Sequence, residues 1–184
     1  MKWMRFMHAG IAGFGALEGD RVLVHEGDLF DAPRPTGQML PLDELQWLPP
    51  VQPRLLIGLW NNFRAAAAKN GWAEPAEPLY FLKSPGSITA PESIVPVPDP
   101  AAYDGRVFYE GELAVVIGRT ARHVSEAEAP AHIFGYTAAN DITALELLNR
   151  DPSFPQWTRA KSFDCFCPLG PVIDTDFRID PTTT

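Results

Sequence analysis

Apolar residues in this chain come in short bursts separated by turn residues, the pattern of strands rather than of long helices. Arg21-Val22-Leu23-Val24-His25 is one such burst, bounded by Glu18-Gly19-Asp20 and Glu26-Gly27-Asp28. Leu55 to Leu59, Leu79 to Lys83 and Pro171 to Ile173 repeat it. The most apolar run, Leu113-Ala114-Val115-Val116-Ile117, follows Tyr109-Glu110-Gly111-Glu112 and reads as a buried strand. Phe134 to Asp141 reads as another strand, closing on Asn140-Asp141. Three segments carry helical signals. Asn61 to Asn70 begins at an Asn cap and ends before Gly71. Ser125 to His132 has Glu128 three residues after Ser125, a capping-box spacing. Ile142 to Arg150 is short and amphipathic, and Trp157 to Phe166 reads as a lysine-bearing loop.

Proline and glycine mark the joints. Ala32-Pro33-Arg34-Pro35-Thr36-Gly37 is a loop, residues 90–106 are a proline-punctuated connection, and Pro49, Pro50 and Pro53 resemble a linker. We therefore expect a small N-terminal β-domain over residues 1–50 and a larger domain over 51–184. The 19 prolines favour short elements joined by rigid turns and argue against a helical bundle. A chain of 184 residues buries roughly 70% of its unfolded surface, enough for a core. The expected class is β-rich α+β.

A net charge of −8 disfavours nucleic acid and anionic membrane as partners, since both need clustered Lys and Arg. It permits a small anionic substrate if a bound cation reverses the local field. Lys2 and Arg5 precede only a short, Gly-broken apolar stretch, and no apolar run approaches the ~20 residues of a membrane span. We expect a cytoplasmic protein. Cys165 and Cys167 have no second Cys or His pair at a zinc-finger spacing, so we read them as small thiols in a reducing compartment.

The chemistry lies in the acids. Glu110 and Glu112 are one residue apart, and on a strand such residues share a face. Two like charges held close in a partly desolvated place repel, so one takes a proton or a divalent cation binds. Asp141 ends a later strand, and Lys161 stands in Arg159-Ala160-Lys161-Ser162-Phe163-Asp164. His8, His25, His123 and His132 fall in no such pattern.

Four motifs occur in order: Glu110-Gly-Glu-Leu-Ala-Val-Val-Ile-Gly118, Gly135-Tyr-Thr-Ala-Ala-Asn-Asp-Ile-Thr-Ala144, Ala160-Lys-Ser-Phe-Asp164 and Pro168-Leu-Gly-Pro171. Together with Pro78 to Pro85 upstream, they resemble the fumarylacetoacetate hydrolase superfamily. Arg5-Phe6 through Val22 is similar to the small β-domain that precedes many bacterial members. The resemblance implies a mixed β-sandwich or roll of the fumarylacetoacetase C-terminal-domain type. It implies Mg²⁺ or Mn²⁺ held by Glu110, Glu112 and Asp141, with Lys161 as the catalytic site lysine. Three carboxylates without His or Cys also make a hard oxygen site on chemical grounds. A homodimer is implied by the resemblance alone.

The chain departs from the family pattern in three places. The family's Gly-x-Asn-Tyr-x-x-His-x-x-Glu motif, whose His and Glu form a base and its partner, falls on Gly58 to Ala67. Arg64 stands at the His position and Ala67 at the Glu position, and arginine is no base near neutral pH. Arg64 can instead clamp a substrate carboxylate, and Lys83 at the end of its strand is a second candidate substrate contact. Leu145 and Leu148 occupy positions where the family has Arg and Gln. The family sequence continues past the point matching Thr184, so we expect a domain lacking its closing strands.

The resulting expectation is a divalent-metal-dependent enzyme that isomerises, decarboxylates or hydrolyses a small 2-oxo or 2-hydroxy-enoate dicarboxylic acid. Such compounds arise in aromatic-compound breakdown. An oxaloacetate-type keto–enol tautomerase and a non-catalytic binder of metal and keto acid are the alternatives.

Overall fold

The structure is a computed structural model and describes residues 1–179. Its strands are β1 (Lys2–His8), β2 (Ile11–Glu18), β3 (Arg21–Asp28), β4 (Asp31–Pro41), β5 (Gln46–Leu48), β6 (Leu56–Trp60), β7 (Leu79–Lys83), β8 (Ile88–Thr89), β9 (Val107–Phe108), β10 (Gly111–Ile117), β11 (Ile133–Asn140), β12 (Thr143–Ala144) and β13 (Cys167–Asp174). Three short α-helices, α1 (Arg64–Asn70), α2 (Leu145–Leu148) and α3 (Trp157–Ala160), and 3-10 turns at Leu42–Glu44, Pro85–Ser87 and Ala129–His132 complete the regular structure of the described residues. The fold is β-rich α+β, as its composition of short bursts requires.

β1 to β4 form an antiparallel meander. His8 pairs with Ile11 across Ala9-Gly10, where both turn residues take positive φ, 48° and 79°. A two-residue turn of that hand matches the twist of the strands it joins. Alternation then sorts the side chains. Met4 and Phe6 point into one core with Val22, Leu40 and Leu45, while Trp3 and Ala16 face another with Leu29, Val116 and Ile173.

One sheet runs through most of the chain, in the order β10-β11-β13-β1-β2-β3-β4. Its central joint is β1 against β13, with Lys2 opposite Asp174 and Trp3 opposite Ile173. Strands from before and after residue 50 therefore share hydrogen bonds, and the second core mixes Trp3 with Val116 and Ile173. β6 and β7 form a separate hairpin, and β9 pairs with β12.

Several local expectations need correcting. The apolar run at β10 is an edge strand rather than a buried one. Val116 is 7% exposed, but Leu113, Val115 and Ile117 on the opposite face are 42%, 46% and 55% exposed. The expected helix at 125–132 reduces to a 3-10 turn over Ala129–His132. One half of the capping box still forms, with Ser125 N donating to Glu128 Oε2 at 3.1 Å. Pro130 lacks an N–H and collides with the carbonyl four residues back, so the helix cannot grow through it. α1 ends as expected at Gly71 in the left-handed region (φ 68°), but begins only at Arg64, after an extended Phe63 rather than an Asn61 cap. The predicted helix at 142–150 is interrupted by β12 and keeps one turn, and part of the expected 157–166 loop is α3.

Candidate metal centre

The two strands that carry the acids meet at a break in a ladder. β10 pairs with β11 up to Gly111 opposite Asn140. Beyond it, Asp141 N donates to Glu110 O at 2.8 Å. Pairing then resumes in β9 and β12, with Phe108 opposite Thr143 and Val107 opposite Ala144. The same antiparallel register thus continues across a gap. Glu110 and Asp141 face each other in that gap, and Glu112 lies two residues along on the same face as Glu110. One carboxylate oxygen from each of the three lies within 4.8 Å of the other two. Asn140 Oδ1 steadies the turn by accepting from Glu110 N at 3.1 Å.

Two lysines close on this cluster, and both are buried, Lys83 to 4% and Lys161 to 3% exposure. Lys83 Nζ donates to Asp141 Oδ1 (2.5 Å), Phe166 O (3.0 Å) and Ile142 O (3.4 Å). Three protons meet three acceptors, so Lys83, expected as a substrate contact, is spent on Asp141 and the backbone. Lys161 caps the end of α3 and donates to Glu110 Oε1 (3.0 Å), Thr143 Oγ1 (2.7 Å) and Asp141 Oδ2. Thr143 in turn donates its hydroxyl proton to Glu110 Oε1. The Lys161 ammonium also stands 4.8 Å from the centroid of the Phe81 ring. Trp157 stacks on that ring at 5.3 Å. Gly58 lies against it so closely that a Cβ there would be 2.2 Å from Phe81 Cζ.

Three carboxylates and two ammonium groups leave the cluster with one net negative charge if all are ionised. Burial, with the neighbouring charge of Asp141 next, raises the Glu112 carboxyl from the usual range to about 7. Lys161 and Lys83 oppose that rise without cancelling it. A divalent cation relieves this repulsion directly. The donors are carboxylate oxygens only, which suits Mg²⁺ or Mn²⁺ and gives zinc or copper none of their preferred nitrogen or sulfur ligands. The residues present therefore fit the metal that the motif order implied.

The structure brings Glu110, Glu112, Asp141 and Lys161 together but leaves Arg64 apart. The Arg64 side chain is 82% exposed and its Nε donates to Glu74 Oε1 at 3.1 Å. Ala67 is buried at 6% exposure within α1. Leu145 and Leu148 pack into the core around Tyr103, Leu147 and Phe166. Thr143, 2% exposed, is a site residue that sequence reasoning passed over. Its spacing of two from Asp141 was the available signal. Burial raises the Cys167 thiol to about 11, and both cysteines are free.

Residues 56–183 match the family model described as fumarylacetoacetate (FAA) hydrolase C-terminal, and residues 1–50 match one described as Rv2993c-like, N-terminal. A 5-carboxymethyl-2-hydroxymuconate delta-isomerase from Mycobacterium smegmatis superposes with a TM-score of 0.84 at 35% identity, covering 99% of this chain and 69% of that one. A 2-hydroxyhepta-2,4-diene-1,7-dioate isomerase from Mycobacterium marinum gives 0.83 at 34% identity, covering 98% and 68%. An oxaloacetate tautomerase of Bacillus subtilis is 35% identical over 165 residues, which is 85% of this chain and 53% of that protein. The chain spans less than two thirds of the curated relatives it matches, 62% of an Archaeoglobus fulgidus protein and 45% of a human mitochondrial oxaloacetate tautomerase. Among the described residues no helix is long and apolar enough to cross a membrane.

Proposed function

The chain belongs to the fumarylacetoacetate hydrolase family, and from that premise we propose that it is a divalent-metal-dependent enzyme that moves a proton or a double bond in a small 2-oxo or 2-hydroxy-enoate acid. One observation carries this reading. Glu110, Glu112, Asp141 and Lys161 converge, while Arg64 and Ala67 stand where a base and its partner would activate water. Isomerisation and tautomerisation need a stabilised enolate and a proton carrier, but no activated water. Decarboxylation and carbon–carbon hydrolysis are less well served by these residues.

Glu110, Glu112 and Asp141 would hold Mg²⁺ or Mn²⁺, which would supply Lewis-acid stabilisation of enolate charge. The chain's own residues do the rest. Asp141 is fixed in place by Lys83 and by its own backbone bond to Glu110. Lys161 Nζ presents positive charge and transferable protons at the edge of the carboxylates, where an enolate oxygen would develop charge. Phe81 and Trp157 cover its inner side and keep water from it.

Oxaloacetate tautomerisation is the second reading, favoured by the likeness to the Bacillus subtilis and human tautomerases. A panel of oxaloacetate, acylpyruvates and a 2-hydroxydienedioate, followed with Mg²⁺ by loss of the ultraviolet enol band, tests both. Band decay without cleavage products is the expected result. Cleaved or decarboxylated products would replace the proposal with a hydrolase or decarboxylase. No change on any substrate, with binding seen by calorimetry, would leave a non-catalytic binder.

A further inference from the structure

The two buried lysines differ in what holds them. Lys83 has one carboxylate oxygen and two backbone carbonyls, Phe166 O and Ile142 O. Those carbonyls are set by the fold, for Phe166 O also accepts Ile142 N at 3.1 Å. Lys161 has side-chain acceptors only: Glu110 Oε1, Asp141 Oδ2 and Thr143 Oγ1. Two of these three residues belong to the acid cluster. One of them, Glu110, has a side chain 45% exposed, so this side of the ammonium borders solvent.

We propose that the Lys161 ammonium and the divalent cation compete for the same carboxylate oxygens, while Lys83 is a permanent counter-charge that anchors Asp141. This inference rests on the metal reading of the site. It goes further by making Lys161 an exchangeable cation that metal loading pushes off Glu110 and Asp141. Like charges cannot share that contact without repulsion, and Asp141 keeps one oxygen on Lys83 throughout. The amine so released, still hydrogen-bonded to Thr143, is free to turn toward an anionic ligand. Metal binding thereby readies Lys161, and the order of events is metal first, substrate second.

The test is Mn²⁺ affinity, read by electron paramagnetic resonance or calorimetry without any turnover. Lys161→Met and Lys161→Gln should each bind Mn²⁺ more tightly than the unmodified chain, by about tenfold or more. Lys83→Met should bind it more weakly, because Asp141 loses its anchor. If Lys161 only positions the acids, both Lys161 variants will bind more weakly too, and the inference fails. Nitrogen-15 spectra of the ammonium groups in the unmodified chain give a readout that does not depend on variants folding. Added Mg²⁺ should move one buried lysine signal and leave the other, whereas equal movement or none would overturn the exchange. An unmodified chain that binds no Mn²⁺ would instead sink the metal reading itself.

Discussion

The β1–β4 meander and the region around the acid cluster solve opposite problems. The meander buries hydrocarbon: Met4, Phe6 and Val22 are at most 3% exposed, and its charged residues lie outside that core. The other region buries charge. Lys83, Asp141 and Lys161 are 4%, 2% and 3% exposed, while Ile57, Leu59, Val115 and Ile117 are about half exposed on β6 and β10. Burying hydrocarbon is favourable without any particular geometry, whereas burying ions is tolerable only if every charge has a partner in place. The meander is therefore robust, and the site is conditional on its own completeness.

That contrast can be broken, beginning where the effect should be largest. Asp141→Ala leaves two ammonium groups without their shared partner and should cost ~3–5 kcal/mol in urea denaturation. It should also abolish Mg²⁺ binding. A loss below 1 kcal/mol, about that of an ordinary surface change, would mean that the buried ions are not structural. Met4→Ala, which leaves a cavity among Phe6, Val22 and Leu40, should cost ~2–5 kcal/mol by the same measurement. It should leave Mg²⁺ affinity untouched, and any coupling would erase the division between the regions. Glu110→Ala is expected to abolish metal binding and turnover while costing less stability than Asp141→Ala, since Glu110 is the exposed member. Full activity of that variant in a chelator would end the metal mechanism.

A smaller effect concerns the strand that leads into Glu110. Tyr103 and Arg106 both donate to Glu146, and these hydrogen bonds hold its carboxyl down to about 2 from 4.5. A depressed carboxylate contributes stability above its unfolded value, and that contribution fades as pH falls from about 4.5 through about 2. Glu146→Gln should lower Tm near neutral pH, with the gap to the parent closing over that acid window. A gap independent of pH would assign the effect to packing. The smallest change expected is Val115→Thr, within ~0.5 kcal/mol if that face of β10 meets water. A clear loss would show that something covers it in solution.

The parts of this molecule that were readable from sequence are those governed by alternation and chemical identity. The spacing of Glu110 and Glu112 implied a shared face, and the residue types implied a hard-cation site. Where Asp141 comes to rest was not readable, because it depends on β10 and β11 keeping one register through to β9 and β12. The role of Lys83 followed from that same geometry: a lysine at a strand end looks like a substrate contact until a carboxylate is found beside it. Thr143 was passed over because its one signal, the spacing of two from Asp141, is weak for a residue type that is neither acid, base nor usual metal ligand. The helix predicted at 125–132 failed on Pro130, which outweighed the half of a capping box that did form. The exposed side of β10 could not be inferred from its composition, since apolar residues on an edge strand read the same as buried ones.

Gly58 carries a consequence for how such a site can be tuned. Its missing side chain lets the Phe81 ring come close to β6, and that ring backs the Lys161 ammonium. Any larger residue at 58 would shift the ring, and with it the position of the ammonium group on the ring's other side. An uncharged position on the outer hairpin can therefore set the placement and reach of the central amine. Variation there would move that amine while leaving every ionisable residue of the centre unchanged.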